Sequence, residues 1–478
     1  MPRLSWGTVA TTLAVTLATG ASLAVVFPRV AVAGPDSEVA SSFDDDDRFD
    51  LHVWLDYEYR MRHSTVMREM VGAAGTDPTD PIPVGKDLVY SSSQHLLVPR
   101  LELGIFHDLA LTFALPIVVL DTRSLELDQR DTPCDFGGPG ASCVDRDSSS
   151  TIRDGLLPRS GYDANDPATG FPDETDPRIF RGVDRHGLDQ VHLGVVWAPM
   201  NQRRDDTKPT WKLGAELRVA VGKPAKFDAA TPDRETGVGA GVHEVKLYTS
   251  MARRIGWAEP YFDAWWLAPI GQTDASPFQD PGFGSKSVQH QQQAGTHFGF
   301  EAIAVDKGPD AQRVSIDLSA SLTAHFQGRN YSELWEVFAL AGDTETGGPL
   351  VLDESPTTPG EQAMSHPGIS NIENYLEIGG KIALRADLGP LVHVAAIAGL
   401  TRETRHIISF TDAGIDLPSC DAGQSPGPTC EAASNDVVNP GTDEVNPLHV
   451  PLIDLVGHRY VVDDALNVMI GVEARVLF

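Results

Sequence analysis

Positive charge is scarce in this chain. Its 37 lysines and arginines face 67 aspartates and glutamates, a formal net charge of −30 over 478 residues. A phosphate-bearing partner needs a basic stripe, so the balance excludes nucleic-acid binding. Long apolar runs are equally scarce. Beyond the first thirty residues none approaches the ~20 apolar positions of a membrane helix, which excludes a helical bundle in the bilayer. Catalytic signatures are missing too: there is no G-x-S-x-G, no H-E-x-x-H and no P-loop, and the fifteen histidines are scattered. A non-enzyme is expected, without catalytic residues, cofactor or metal site. With 44 glycines and 34 prolines, turns and loops outweigh long helices.

What is present begins with an address. One base, Arg3, precedes an apolar run over residues 7–27, followed by Ala31-Val32-Ala33-Gly34. Signal peptidase accepts small side chains at this spacing. The rival is a signal anchor, since the run is long enough to span a bilayer. The small-residue site and the lack of a second span favour cleavage after Ala33. Residues 1–33 are read as a signal peptide and residues 34–48 as a short acidic periplasmic segment. Losing Arg3 and Arg29 leaves the exported chain near −32. Cysteine usage agrees with export. The four cysteines form two close pairs, Cys134/Cys143 and Cys420/Cys430, in segments rich in glycine, proline and aspartate. Two local disulfides are predicted, because C-x8-C and C-x9-C are too wide for a zinc site built on C-x2-C units.

Alternation is the main signal. In residues 313–326 every even position is apolar (Val314, Ile316, Leu318, Ala320, Leu322, Ala324, Phe326) and every odd one polar. A strand puts these sets on opposite faces, whereas a helix spreads both around its surface. The pattern recurs at 51–62, 211–221 and 466–478, and more weakly near 95–106, 109–120, 188–198, 242–254, 257–269, 294–305, 374–386 and 391–403. Short connections (107–108, 199–210, 254–256, 306–312, 387–390) alternate with long ones (63–92, 121–185, 224–240, 271–293, 327–372, 405–450). Trp197, Trp211 and Trp257 stand beside short turns, where an amphipathic ring would meet lipid headgroups.

With its alternating strands, alternating loop lengths and final Arg475-Val476-Leu477-Phe478, the chain resembles the Gram-negative outer-membrane β-barrel class of the porin or small-molecule uptake type. The resemblance implies an all-β fold: a transmembrane antiparallel up-and-down β-barrel over residues 49–478, with short periplasmic turns and long extracellular loops. About twelve strands are expected, with fourteen allowed. A thirteenth would arise if residues 450–462 were a separate strand turning at Asp463–Asp464. The resemblance also implies an outer-membrane location among lipid and lipopolysaccharide. It makes Phe478 the signal read by the barrel-assembly machinery. His63-Ser64 and His297 lack the neighbours that barrel hydrolases of this class would show.

If the apolar parity faces lipid, the other faces the lumen. Lumen candidates are Asp56, Glu58, Arg60, Arg100, Glu102, Lys212, Glu216, Arg218, Glu301, Arg313, Asp317, Glu377, Lys381, Arg385, Glu473 and Arg475. Both signs are present in nearly equal number, so rings of one sign are absent and strong ion selectivity is not expected. Cross-barrel ion pairing is the simplest role for any one of these residues. The acidic surplus sits in the long loops and is read as solvated charge. A plug would have to come from a loop such as 121–185 folding inward. The expected function is passive uptake of small solutes; the rival is a closed-lumen structural or adhesive surface barrel with acidic, disulfide-stapled loops.

Overall fold

The computed structural model describes residues 38–42, 50–70, 82–131, 133–136, 142–278, 290–307, 312–353, 363–411, 419–425, 430 and 449–478. The signal peptide and its cleavage site lie outside the described residues.

Twelve antiparallel strands close into one barrel. They are β1 Leu51–Glu69, β2 Val84–Phe106, β3 (Leu109–Ala114 and Ile117–Leu127), β4 (Arg185–Leu188 and Gln190–Met200), β5 Thr210–Ala220 and β6 Val242–Ala252. The remainder are β7 Ala258–Gln272, β8 Gln293–Asp306, β9 Gln312–His325, β10 Tyr375–Leu388, β11 Val392–Glu403 and β12 Tyr460–Leu477. Each pairs with the next in sequence, and β12 returns to β1 in register from His52↔Leu477 to Arg68↔Tyr460. At the seam the Leu51 N–H donates to the Phe478 carbonyl at 3.1 Å, and the Phe478 N–H to the Leu51 carbonyl at 2.9 Å. Both ends of the barrel chain therefore meet beside the short turns. The tightest of these, His107–Asp108, holds Asp108 at φ 52°, a left-handed conformation that aspartate tolerates and a two-residue hairpin needs.

Twelve is thus the strand number, as expected, and residues 450–462 form no separate thirteenth strand. Residues 451–454 form the short helix α3 of the described structure, Pro451–Asp454, and Tyr460–Val462 belong to β12. Asp463–Asp464 is a bulge within that strand: Asp464 has φ 50°, and the register against β1 shifts between His63 and Thr65. One correction concerns strand length. β1, β2 and β12 run for 19, 23 and 18 residues, about twice the ~10 that cross a bilayer. Their outer halves lose alternation because both faces are covered there. Ser64 to Glu69 are all buried, so the polar–apolar rhythm that marks a lipid-facing strand has no reason to persist.

Outward positions along the membrane portion are apolar and exposed, including Leu55, Leu111, Leu217, Leu247, Leu318, Ile382 and Ile470. Trp197 and Trp257 project from the short-turn rim, while Trp211 donates its indole N–H to Thr249 Oγ1 at 2.9 Å. This is the outer face of a membrane barrel. No described helix is long and apolar enough to cross a membrane.

The long loops build a second body at the other end. Helices α1 (Ser150–Arg153) and α2 (Trp335–Ala341) precede α3 in sequence. Their apolar residues, with Leu156, Leu157, Tyr162, Ile179, Phe180, Leu350, Phe410 and Ile453, join Val66, Leu88, Leu125 and Tyr460 from the strand ends in one hydrophobic core. All of α2 is buried. The expected inward plug from 121–185 is therefore only part of a cap to which 326–374 contributes the central helix.

Buried arginines tie the cap's irregular backbone together. Arg146 donates to the carbonyls of Arg159, Phe171 and Asp173. Arg185 donates to those of Lys226, Glu235 and Gly237, stacks over Trp335 and pairs with Glu336 at 2.6 Å. Asp87 accepts from Ser149, Ser150 and Thr151, fixing the start of α1. Each loop staple closes within the loops, with Cα–Cα distances of 5.4 Å for Cys134–Cys143 and 4.8 Å for Cys420–Cys430.

Two outcomes follow for the cap. Arg185 and Glu336 side chains are 1% and 3% exposed, so Glu336→Ala strands a buried cation and should cost about 3–5 kcal/mol. Hydrogen exchange should speed across 330–341 while β5–β9 stay protected; unchanged exchange would show the pair to be dispensable. His366 gives a pH dependence. It packs on Phe410, and its Nδ1 accepts the Gly368 N–H at 2.9 Å. Burial, aided by the Arg329 guanidinium, pushes its imidazole from the ordinary 6.5 down to about 3. The folded cap thus binds fewer protons than the open one. Its His366-linked stability is full above pH 6.5 and falls towards pH 3, losing about 2 kcal/mol by pH 5. Cap proteolysis should accelerate on acidification, and His366→Gln should flatten that profile.

Candidate functional site

The lumen is formed by the inward parity of all twelve strands, and its charges fall into groups of differing burial. On β7–β10 a dry network joins four strands. Glu301 takes Arg313 at 3.0 Å and the Ser315 hydroxyl, and Glu259 faces the same guanidinium at 3.7 Å. Asp317, fully buried, accepts from Arg385 at 2.9 Å and from the Tyr261 hydroxyl at 2.8 Å. Tyr261 reaches that far because it lies flat across Gly299 of β8, where a Cβ would stand 1.8 Å from its ring. Trp265 over Gly295 and Tyr248 over Gly214 repeat the device.

On β1, β2 and β12, Arg100 bridges Asp56 at 2.6 Å and Glu473 at 3.3 Å, and the Arg100 and Arg475 guanidinium groups both lie over Trp54. Arg475 pairs with Glu38 of the N-terminal segment, whose other oxygen takes Arg203 at 2.9 Å. Burial opposes the Glu38 charge, but Arg475, Arg203 and His52 hold its carboxyl down at about 2. The Ala40 N–H donates to Glu102 at 2.6 Å, and the Ser42 hydroxyl to the Gly104 carbonyl at 2.6 Å. Residues 38–42 are thus packed into the short-turn mouth, with Val39 and Ala40 buried against Ala110, Val196 and Ala198. On β4–β6 Arg218 meets Glu216 at 2.8 Å and Glu244 at 3.9 Å.

Among the described residues, a pair of cavities lies between these groups. The inner one, about 540 Å³, is lined by Glu38, Trp54, Arg100, Glu102, Lys212, Glu216, Arg218, Lys246, Trp265 and Glu473 among others. The outer one, about 680 Å³, lies beneath the cap. His297 lines both. The outer wall carries Glu58, Arg60, Ser319, Ser321, Thr323, Glu377, Lys381 and Thr401, and residues 330–333 form its roof. There Arg62 binds Glu333 and Glu403, at 2.8 Å to the latter's Oε2. His325, Tyr375 and His406 form a stack with successive ring centroids 4.2 Å apart.

Trp54, Trp265, the three-ring stack and the roof were not singled out from sequence. The signal for α2 was available: Leu334, Trp335, Phe338 and Ala341 recur at helical rather than strand spacing. The ring stack had none, since Tyr375 and His406 sit at strand ends where parity gives little guidance.

A serine–histidine contact does occur. The Ser91 hydroxyl lies 3.1 Å from His63 Nδ1 on the exposed side of β1–β2. The other ring nitrogen faces Arg130 Nη1 at 3.5 Å. A base needs an acceptor there to orient its proton, and a guanidinium is only a donor.

No protein-family model matches the sequence, and no curated protein matches it. Solved structures do. An outer membrane channel from Pseudomonas putida F1 is 10% identical, with 94% of this chain and 100% of that one covered and a TM-score of 0.37. A Pseudomonas aeruginosa FadL homologue is 9% identical, covering 90% of each chain, with a TM-score of 0.31. The outer membrane protease OmpT from Escherichia coli is 6% identical, covering 92% and 100%, with a TM-score of 0.27. Likeness at this level carries nothing beyond what the strands of this chain already display: a closed barrel of the outer-membrane kind.

The two kinds of lumen charge should separate on substitution. Asp317→Ala leaves Arg385 buried without its carboxylate and should cost about 3–5 kcal/mol. Glu58→Gln breaks a pair with Arg60, which is half exposed, and should cost about 0–1 kcal/mol. Urea midpoints for the two refolded variants measure the difference, and equal midpoints would refute it.

Proposed function

We propose that this chain is an outer-membrane channel for passive uptake of small molecules. The observation that carries the reading is the pair of cavities within one barrel, both lined in part by charged side chains and sharing His297 in their walls. A barrel serving only as a scaffold has no need of some 1,200 Å³ of internal space, and filled small barrels occupy theirs with side chains. On this reading the chain is exported, loses residues 1–33 after Ala33, is folded by the barrel-assembly machinery from its Phe478 end, and lies in contact with lipopolysaccharide. The lumen candidates outside the dry network then line a path of mild selectivity, because their charges are largely cancelled by neighbours, while Glu301, Arg313, Asp317 and Arg385 belong to its wall. No catalytic, cofactor or metal role belongs to it.

One observation favours the rival, a closed surface barrel. The cap shares one hydrophobic core with the strand ends beneath it, and the N-terminal segment packs into the opposite mouth. Single-channel recording of the refolded mature protein in a planar bilayer separates the two readings. Resolvable current steps with weak cation–anion preference are expected. Steps should grow when Glu38→Gln and Arg475→Gln together loosen the N-terminal segment. Silence from folded protein, with no swelling of solute-loaded liposomes, would overturn the channel reading and leave the scaffold.

A further inference from the structure

The charges of the outer cavity are matched within its own wall, with one exception. Glu58 takes Arg60, Arg62 takes Glu333 and Glu403, Asp121 takes Arg123, and Glu377 faces His325. Lys381 has no carboxylate, hydrogen-bond or ring partner among the described residues, although it lines the cavity. In register it stands between Ser319 of β9 and Gly399 of β11. Gly399 brings no side chain of its own there, and the Met469 side chain lies over it, 3.0 Å from where a Cβ would stand. Ser319, Ser321 and Thr323 share one face of β9 at two-residue spacing and all line the cavity. None of their hydroxyls has a hydrogen-bond partner among the described residues.

An unpaired cation within a barrel calls for an anion, and a charge-assisted contact is about twice as strong as a neutral one. A row of free hydroxyls, each both donor and acceptor, calls for further hydroxyls. The space far exceeds a bare carboxylate and falls within the roughly 300–1,000 Å³ of small-ligand sites. We propose that the outer cavity binds a small polyhydroxylated carboxylate, of the sugar-acid class, with Lys381 on its carboxylate and Ser319, Ser321 and Thr323 on its hydroxyls. This assignment rests on the lumen being a solute path, yet binding can be measured without transport.

Titration calorimetry of the refolded, detergent-solubilised mature protein with glucuronate, glucose and acetate tests it. Glucuronate should bind at least about tenfold more tightly than either of the others, since each offers only half of the recognition. Lys381→Met should lose about tenfold for glucuronate, Lys381→Arg should retain most of it, and Lys208→Met, in an exposed turn, should change nothing. Ser319→Ala with Ser321→Ala should weaken glucuronate and leave acetate unaltered. Acetate binding as well as glucuronate would reduce the site to a plain anion site and overturn the proposal. So would an undiminished affinity in a Lys381→Met variant shown to be folded by its heat-modifiable gel mobility. Liposome flux of glucuronate is read separately. Binding without flux would uphold the site and sink the channel reading.

Discussion

The seam between β1 and β12 is the constraint on which the rest of the structure depends. In hydrocarbon there is no water to satisfy a free strand edge, so every N–H and C=O within the bilayer must find a partner inside the protein. The Leu51–Phe478 pair and the long β1–β12 ladder above it supply the last row of those partners. Closure with both strand ends on one side requires an even number of strands. It also forces each strand to show one face to lipid and one to the lumen. The alternation in β9, the exposed leucines outside and the charges inside are all consequences of that single ring.

Placing charges on the inner face carries its own cost. A lone guanidinium or carboxylate buried among strands loses several kcal/mol of hydration, and a partner recovers it only with good geometry. The barrel meets this in graded fashion. Around Asp317 and Glu301 the pairs are dry and shared across four strands, and Tyr261 over Gly299 supplies a further donor. At Glu58–Arg60 the pair is wet. The first kind holds strands in register, whereas the second leaves its groups available to a solute. The same chemistry recurs in the cap, where Arg146 and Arg185 take up loop carbonyls that no sheet ladder reaches.

The membrane portion was legible in the sequence because lipid on one side and water on the other impose a period of two. All twelve strands announce themselves there, as do the short turns and the cysteine pairs. Legibility stops where that asymmetry stops. From Ser64 to Glu69 and from Asp87 to Tyr90 the strands are covered on both faces, and their alternation dissolves. The cap resembles the interior of a soluble protein, with apolar residues drawn from loops distant in sequence, and no local period encodes such a core. Lumen contacts were readable only as a parity. That Arg62 would meet Glu333, or Arg475 meet Glu38, depends on which loop and which terminus fold inward. Lys381 stood out from its equals only once the partners of the other charges were known.

Cap and N-terminal segment together set what passage would require. The outer cavity is roofed by residues 330–333, pinned through Arg62 to Glu333 and Glu403, and the inner mouth holds residues 38–42 through Glu38. A solute crossing the barrel must displace one of these attachments at each end, while the strands between them stay fixed. Both attachments are buried ion pairs at the edge of a cavity: the Arg475 and Glu38 side chains are 2% and 10% exposed, and Glu333 and Glu403 5% and 3%. Neither is part of the dry network on β7–β10. Opening at either end therefore breaks a buried pair, as costly as parting Arg385 from Asp317 unless the freed ions are hydrated in the cavity or met by charges of the solute. What separates the two ends from the β7–β10 wall is where the partners sit: Glu333 on a loop and Glu38 on the N-terminal segment at the ends, and neighbouring strands in the wall. A loop or a terminal segment can shift without breaking the closed strand ladder, whereas a strand of the wall cannot.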